Sequence, residues 1–178
     1  MFRKLLRALS RKKDREPAPS IVLLCRTPYQ PTDDELEDAG TRAFGVAFNR
    51  DKDSVNFVAK RLGIRLMKAD GFLFSFLSRP EGYMEAFPGE SGYSEQALWE
   101  RHNAWFSIDC IGGGESRDVQ YNRAARLAVE LLSDNCIGVY LPEPIVLWER
   151  DDQLALNLPA KVRLAISSPV NTSKSRQA

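Results

Sequence analysis

The chain reads as an α+β domain: a two-layer sandwich in which a largely antiparallel sheet of about five or more strands carries two main helices on one face, related to the ferredoxin-like topology. Three observations predict this. The segments follow in the order β, α, β, β, loop, β, α, β. Asp70-Gly71 separates two strand-like runs, a strong short-range hairpin signal. Two further segments keep apolar residues at helical spacing, one beginning near Asp33 and one near Arg117.

Composition supports one core. The chain has 178 residues, 43% hydrophobic and 28% charged, enough for a single domain and unlike a disordered or fibrous sequence. The formal net charge of +1 excludes a body that is basic throughout. It conceals an asymmetry, because seven Lys/Arg against Asp14 and Glu16 give residues 1–16 a net charge of +5 and leave the remainder mildly acidic. The basic arm comprises Arg3, Lys4, Arg7, Arg11, Lys12 and Lys13, followed by Arg15. Phe2, Leu5, Leu6 and Leu9 fall between these charges at helical spacing, which describes a short basic amphipathic helix rather than a secretory signal. Such a helix can touch anionic lipid or nucleic acid, or it can be a frayed leader. "DREPAPS" then reads as a linker, so residues 1–20 form arm and linker, 21–167 the domain, and 168–178 a polar, disordered tail.

Within the domain, "IVLLCRT" is a strand apolar on both faces, stopped by Pro28 and Pro31. Thr32 and Glu35 make a capping box, with Asp33 and Asp34 at the positive end of the helix dipole. Leu36, Ala39, Gly40, Ala43, Phe44 and Ala47 form the apolar stripe of that helix, and capping accounts for the acidic "TDDELED" without a metal. "FVAKRLGIRLMKA" and "FLFSFLSRP" are the hairpin strands. The Gly- and Pro-rich stretch 80–93 is a loop, either a plain connection or a lid. Ser94 to Arg101 is a short helix.

"HNAWFSIDC" alternates. His102, Ala104, Phe106, Ile108 and Cys110 point one way, and Asn103, Trp105, Ser107 and Asp109 the other. His102 heads the apolar row, either as a satisfied structural histidine or as a catalytic group with Asp109, Glu100 or Asp118 near the Gly112–Gly114 turn. Cys110 lies eight residues along the same strand, more than about 25 Å away, which excludes a Cys/His nucleophile. "GGGESRD" lacks the ending of a phosphate-binding loop and reads as a flexible turn to an N-cap at Ser116. Tyr121, Ala124, Ala125, Leu127, Ala128, Leu131 and Leu132 mark the second helix, with Arg117, Arg123 and Arg126 as solvated charges. "CIGVYLPEP" is a strand, and "IVLWERDDQLALNL" reads as two short strands about Arg150-Asp151-Asp152.

Three cysteines, Cys25, Cys110 and Cys136, widely spaced and in apolar contexts, read as reduced buried thiols of a cytoplasmic protein. No cofactor or metal site is expected, and no stretch approaches the ~20 apolar residues of a membrane span. The sheet face away from the helices is the candidate binding surface, with Arg61, Arg65, Trp105, Ser107 and Asp109.

Two resemblances bear on function. "DGFLFSF" resembles the aromatic strand of RNA-recognition motifs through Gly71, Phe72 and Phe74, but Asp70 stands in the basic position and Leu73 in the small one, so the phenylalanines read as core. From Ile21 to Trp148, "IVLLCRTPYQPTDDEL", the Asp-Gly hairpin, "HNAWFSI" ahead of a long helix, and "IGVYLPEP" together resemble a bacterial family catalogued as domain of unknown function number four-two-six-one. That resemblance implies a bacterial cytoplasmic α+β protein and carries over no catalytic residue. The expected function is non-enzymatic binding, chiefly of another protein, with a possible homodimer through the sheet. The alternatives are a hydrolase or transferase using His102, and nucleic-acid or membrane-surface contact through the arm.

Overall fold

In a computed structural model the described residues are 16–59, 63–84, 93–114 and 116–168. The strands are β1 (Ser20–Cys25), β2 (Ser54–Ala59), β3 (Ile64–Ala69), β4 (Phe72–Arg79), β5 (Ala104–Gly112), β6 (Cys136–Leu141) and β7 (Val146–Glu149). The helices are α1 (Asp33–Phe44), α2 (Tyr93–Arg101), α3 (Arg117–Leu131) and α4 (Asp152–Ser167). The strands form one antiparallel sheet in the order β2-β3-β4-β5-β1-β6-β7. Its middle, β4-β5-β1-β6 with α1 and α3 on one face, is the ferredoxin-like arrangement, so the α+β sandwich is as the sequence predicts.

β1 lies inside the sheet, between β5 and β6, and is apolar on both faces. Ile21, Leu23 and Cys25 enter the main core under α1, α3 and α4, while Val22 and Leu24 enter a second, smaller one. The main core collects Phe72, Phe74 and Phe76 from β4 and Tyr121, Ala124, Ala125, Leu127, Ala128 and Leu131 from α3. Asp70 (φ 48) and Gly71 (φ 79) make the two-residue turn between β3 and β4, both left-handed as such hairpins require. With Phe72, Phe74 and Phe76 at most 5% exposed, none of the three can stack on a base.

Four expectations are corrected. The run predicted as one strand before Asp70 is two, β2 and β3, antiparallel neighbours joined through residues 60–62, which lie outside the described residues. Leu62 and Ile64 resume the apolar run directly after Lys60-Arg61, so two charges alone do not mark the break; Gly63, at φ 66, does. The region from Asp152 is a helix, not a strand: Asp151 accepts from the Leu154 N–H at 2.5 Å, and Leu154, Leu158 and Val162 recur every four residues into the main core. Three helices, rather than two, therefore cover that face. Ala47 lies beyond α1, which ends at Phe44 ahead of the cap Gly45, and is exposed. Finally, the opposite face is partly covered, because Leu98 and Trp99 of α2 pack with Tyr83 and Trp105 over Val22, Leu24, Ile137, Tyr140 and Leu147.

The basic arm (Arg3, Lys4, Arg7, Arg11, Lys12, Lys13), the tail from 169, Arg61, and residues 85–92 of the predicted loop lie outside the described residues. No helix among the described residues is long and apolar enough to cross a membrane.

Candidate functional site

The capping box builds the first wall of a cleft. Thr32 N–H donates to Glu35 Oε2 at 2.6 Å, and Glu35 N–H donates to Thr32 Oγ1 at 3.2 Å. The Thr32 N–H, and the Thr32 hydroxyl that donates to the same Oε2 at 3.0 Å, hold the Glu35 carboxyl below its ordinary range. They fix the chain direction at Gln30 and Pro31 just before the helix. Ser78 Oγ–H donates to the Tyr29 carbonyl at 2.6 Å, tying the same segment to β4. The Tyr29 ring meets Phe106 edge-on at 5.2 Å, and burial pushes its hydroxyl pKa up to about 12.

Between this segment and the sheet lies a cleft of about 220 Å³ lined by Gln30, Pro31, Gly63, Arg65, Phe76, Ser78 and Phe106. Phe76 and Phe106 stack at 5.7 Å and form its apolar wall. Arg65 stands opposite Phe76 in the β3–β4 register and therefore shares its face. The Arg65 side chain is 13% exposed, with Nε 3.6 Å from Asp33 Oδ1. Placing Arg65 beside Trp105 on the opposite face is therefore corrected. The signal was available: Arg65, Met67 and Ala69 alternate along β3, and the latter two are core.

Trp105, Ser107 and Asp109 do share the opposite face, but not as an open polar surface. Trp105 packs edge-on against Tyr83 at 4.9 Å, Ser107 is 5% exposed, and Ser107 Oγ–H donates to Asp109 Oδ2 at 3.0 Å. Burial raises the Asp109 carboxyl pKa against the lowering effect of its bonds to Ser20 and Ser107.

His102 does not head the apolar row. It lies in the turn between α2 and β5, on the side of the second core, edge-on to Trp99 at 5.0 Å. Nε2 accepts from the Tyr83 N–H at 2.9 Å, and Nδ1 is hydrogen-bonded to the Trp99 carbonyl. A ring accepting at Nε2 must carry its proton on Nδ1, so both nitrogens are engaged and the neutral form fits. The Gly112–Gly114 turn is at the far end of β5, about 30 Å away by strand rise. Among the other candidate partners, Glu100 Oε1 accepts from Gln96 at 2.8 Å, and Asp118 is exposed beyond that same turn. The structure does not bring together the histidine, carboxylate and glycine turn of the enzymatic alternative.

Burial lowers the His102 pKa from its ordinary 6.5. Below that value the unfolded chain binds a proton that the folded chain resists, so stability falls as pH drops through this window. Asp109 works in the opposite sense, since its folded carboxyl takes up a proton before the unfolded one does. The urea midpoint of the native chain is expected to drop between about pH 7.5 and about pH 5.5 relative to that of His102→Gln. Parallel pH dependences in the two proteins would refute this.

Two of the predicted solvated charges are built in. Arg123 Nη2 meets Asp70 Oδ2 at 2.9 Å, and its guanidinium lies over the rings of Phe44 and Phe72. Arg117 pairs with Glu143, which also accepts from Tyr121 Oη–H at 2.8 Å. Arg126 is exposed, as predicted. Ser116 does occupy the N-cap position of α3, without a side-chain cap bond.

A second groove, about 270 Å³, runs between α2, β7 and α4. Glu95, Glu149, Asp151 and Lys161 on its walls mix the two signs of charge. Of these two clefts, it is the Arg65 cleft that joins a largely buried cation to an aromatic wall. Compared with family models, curated proteins and solved structures, the chain finds no match in any of the three.

Proposed function

We propose that the protein is a non-enzymatic binding domain, and that it takes a carboxylate on an apolar stem, presented by a partner protein, in the Arg65 cleft. One observation carries this reading. A guanidinium shielded from water faces the same small cleft as the stacked Phe76 and Phe106. Arginine is suited to a planar carboxylate, and a low-dielectric wall strengthens the charge-assisted hydrogen bond. Asp33 balances Arg65 in the free protein, and an incoming carboxylate competes for the same group. The resemblance to the bacterial family of unknown function is retained as part of this proposal, together with its expectation of a cytoplasmic setting. The basic arm would then serve as a tether.

Benzoate is the minimal probe. Titrated into the isotopically labelled chain, it is expected to shift the amides of Gln30, Gly63, Ser78 and Phe106 saturably. Benzyl alcohol, with the same ring and no charge, is expected to bind about tenfold or more weakly, the value of one charge-assisted hydrogen bond. Arg65→Met should remove that preference while leaving the fold. Shifts scattered over the surface, or equal responses in the Arg65→Met variant, would exclude the cleft as the binding site.

A further inference from the structure

Cys25 ends β1 and Cys136 begins β6, and the two are direct cross-strand partners just past a register shift. Their backbones are engaged elsewhere: the Cys25 carbonyl accepts from Asn103 N–H, and Cys136 N–H donates to the Ser133 carbonyl. They therefore exchange no ladder hydrogen bonds, the arrangement that brings opposed side chains closest. The two sulfurs are 3.7 Å apart, and both thiols are reduced. The pair is buried but lies next to the surface in sequence: Arg26 and Thr27 follow Cys25, Asp134 and Asn135 precede Cys136, and of these Arg26, Thr27 and Asp134 are exposed.

We infer that Cys25 and Cys136 are an oxidative modification site, closing to a reversible intramolecular disulfide that ties the end of β1 to the start of β6. The oxidant is a peroxide. Cys136 is the attacking sulfur: Ser133 Oγ lies 3.6 Å from it, and these contacts with Arg150 nearby favour its thiolate against the opposing effect of burial, while the Cys25 thiol donates to the Leu23 carbonyl at 3.6 Å and is held protonated. The thiolate attacks one peroxide oxygen, the O–O bond breaks, and with a proton the products are a Cys136 sulfenic acid and one water. Cys25 sulfur then displaces the sulfenic oxygen, which leaves with the Cys25 proton as a second water. Two thiols are oxidised by two electrons and one peroxide is reduced to two waters. Closure needs the sulfurs to approach from 3.7 Å to about 2 Å, a side-chain rotation across a pair already in register.

Cys110 serves as an internal control. It sits at the other end of β1, where its N–H donates to the Pro19 carbonyl, about 20 Å from Cys25 by strand rise. Burial raises its pKa to about 11. The three cysteines also fall in different tryptic peptides, 16–26, 102–117 and 127–150.

The experiment uses the full reduced chain under native conditions. Hydrogen peroxide is added, free thiols are alkylated after denaturation, and the products are read by mass spectrometry. The expected result is a chain lighter by two hydrogens, one alkylated cysteine (Cys110), a 16–26/127–150 cross-link, and recovery of three alkylatable thiols with dithiothreitol. Cys110→Ser should give the same cross-link. Cys136→Ser should leave Cys25 unoxidised. Three alkylatable thiols after peroxide, cross-links that include Cys110, or sulfinic acid at Cys136 without a cross-link would each overturn the inference.

Discussion

Phe74→Ala is expected to lower the free energy of unfolding by about 3–5 kcal/mol, seen as a fall in the urea midpoint at unchanged slope. Phe74 is fully buried in the main core, stacked against Phe44 of α1 at 5.8 Å and tilted against Phe72 at 6.3 Å. Its strand partners are Met67 and Cys110, themselves buried. Removing the ring costs the transfer energy of its atoms and leaves a cavity whose walls belong to three hydrogen-bonded strands and a capped helix. Such walls close in little, so the cavity term stays near its upper range. Ser75, the next residue, points to the other face and is half-exposed, so Ser75→Ala should stay within about 0.5 kcal/mol. A cost below about 1 kcal/mol for Phe74→Ala would mean that the β4 aromatics are not core, and would reopen the reading in which they stack on bases.

That alternation shows what was legible in the sequence. Where one period persists and the punctuation is chemical, as in β4, the Asp70-Gly71 turn, the Thr32/Glu35 box and the α3 stripe, local signals agree with the final packing. They fail where tertiary context decides. α4 carries Pro159 in its interior and follows a short strand, so its early residues resemble a second strand; what makes it helical is the Asp151 cap and the fit of Leu154, Leu158 and Val162 against α3 and the sheet. Alternation carried back to His102 runs two residues too far, past the point where the chain turns out of α2. The Arg65 cleft was legible in part. The sequence points to Arg65 as a binding residue, but its face depends on pairing with Phe76 across the hairpin, and its neighbour Asp33 comes from an element 32 residues away. The Cys25–Cys136 juxtaposition had no sequence signal, since a separation of 111 residues becomes 3.7 Å only through the pairing of β1 with β6.

The glycine run provides the second large effect, because Gly113 and Gly114 are glycine for different reasons. Gly113 has φ 147, and a Cβ there would lie 2.4 Å from Phe72 Cδ1 and 2.9 Å from Cε1. Phe72 cannot swing aside at small cost, since it is 5% exposed and held between Phe74 and the Arg123 guanidinium. Gly113→Ala is therefore expected to destabilise by about 2–5 kcal/mol, combining backbone strain with overpacking against the ring. Gly114 is also left-handed, at φ 63, but a Cβ there would meet open space. Asparagine tolerates that conformation, so Gly114→Asn should cost no more than about 1 kcal/mol. Urea unfolding of the two variants tests the contrast. In a backbone cradle for an anion the missing Cβ would leave room for the ligand; at Gly113 it is the space that Phe72 fills. Equal, small losses in both variants would mean that Phe72 yields, and that the turn is set by flexibility rather than by the ring packed against it.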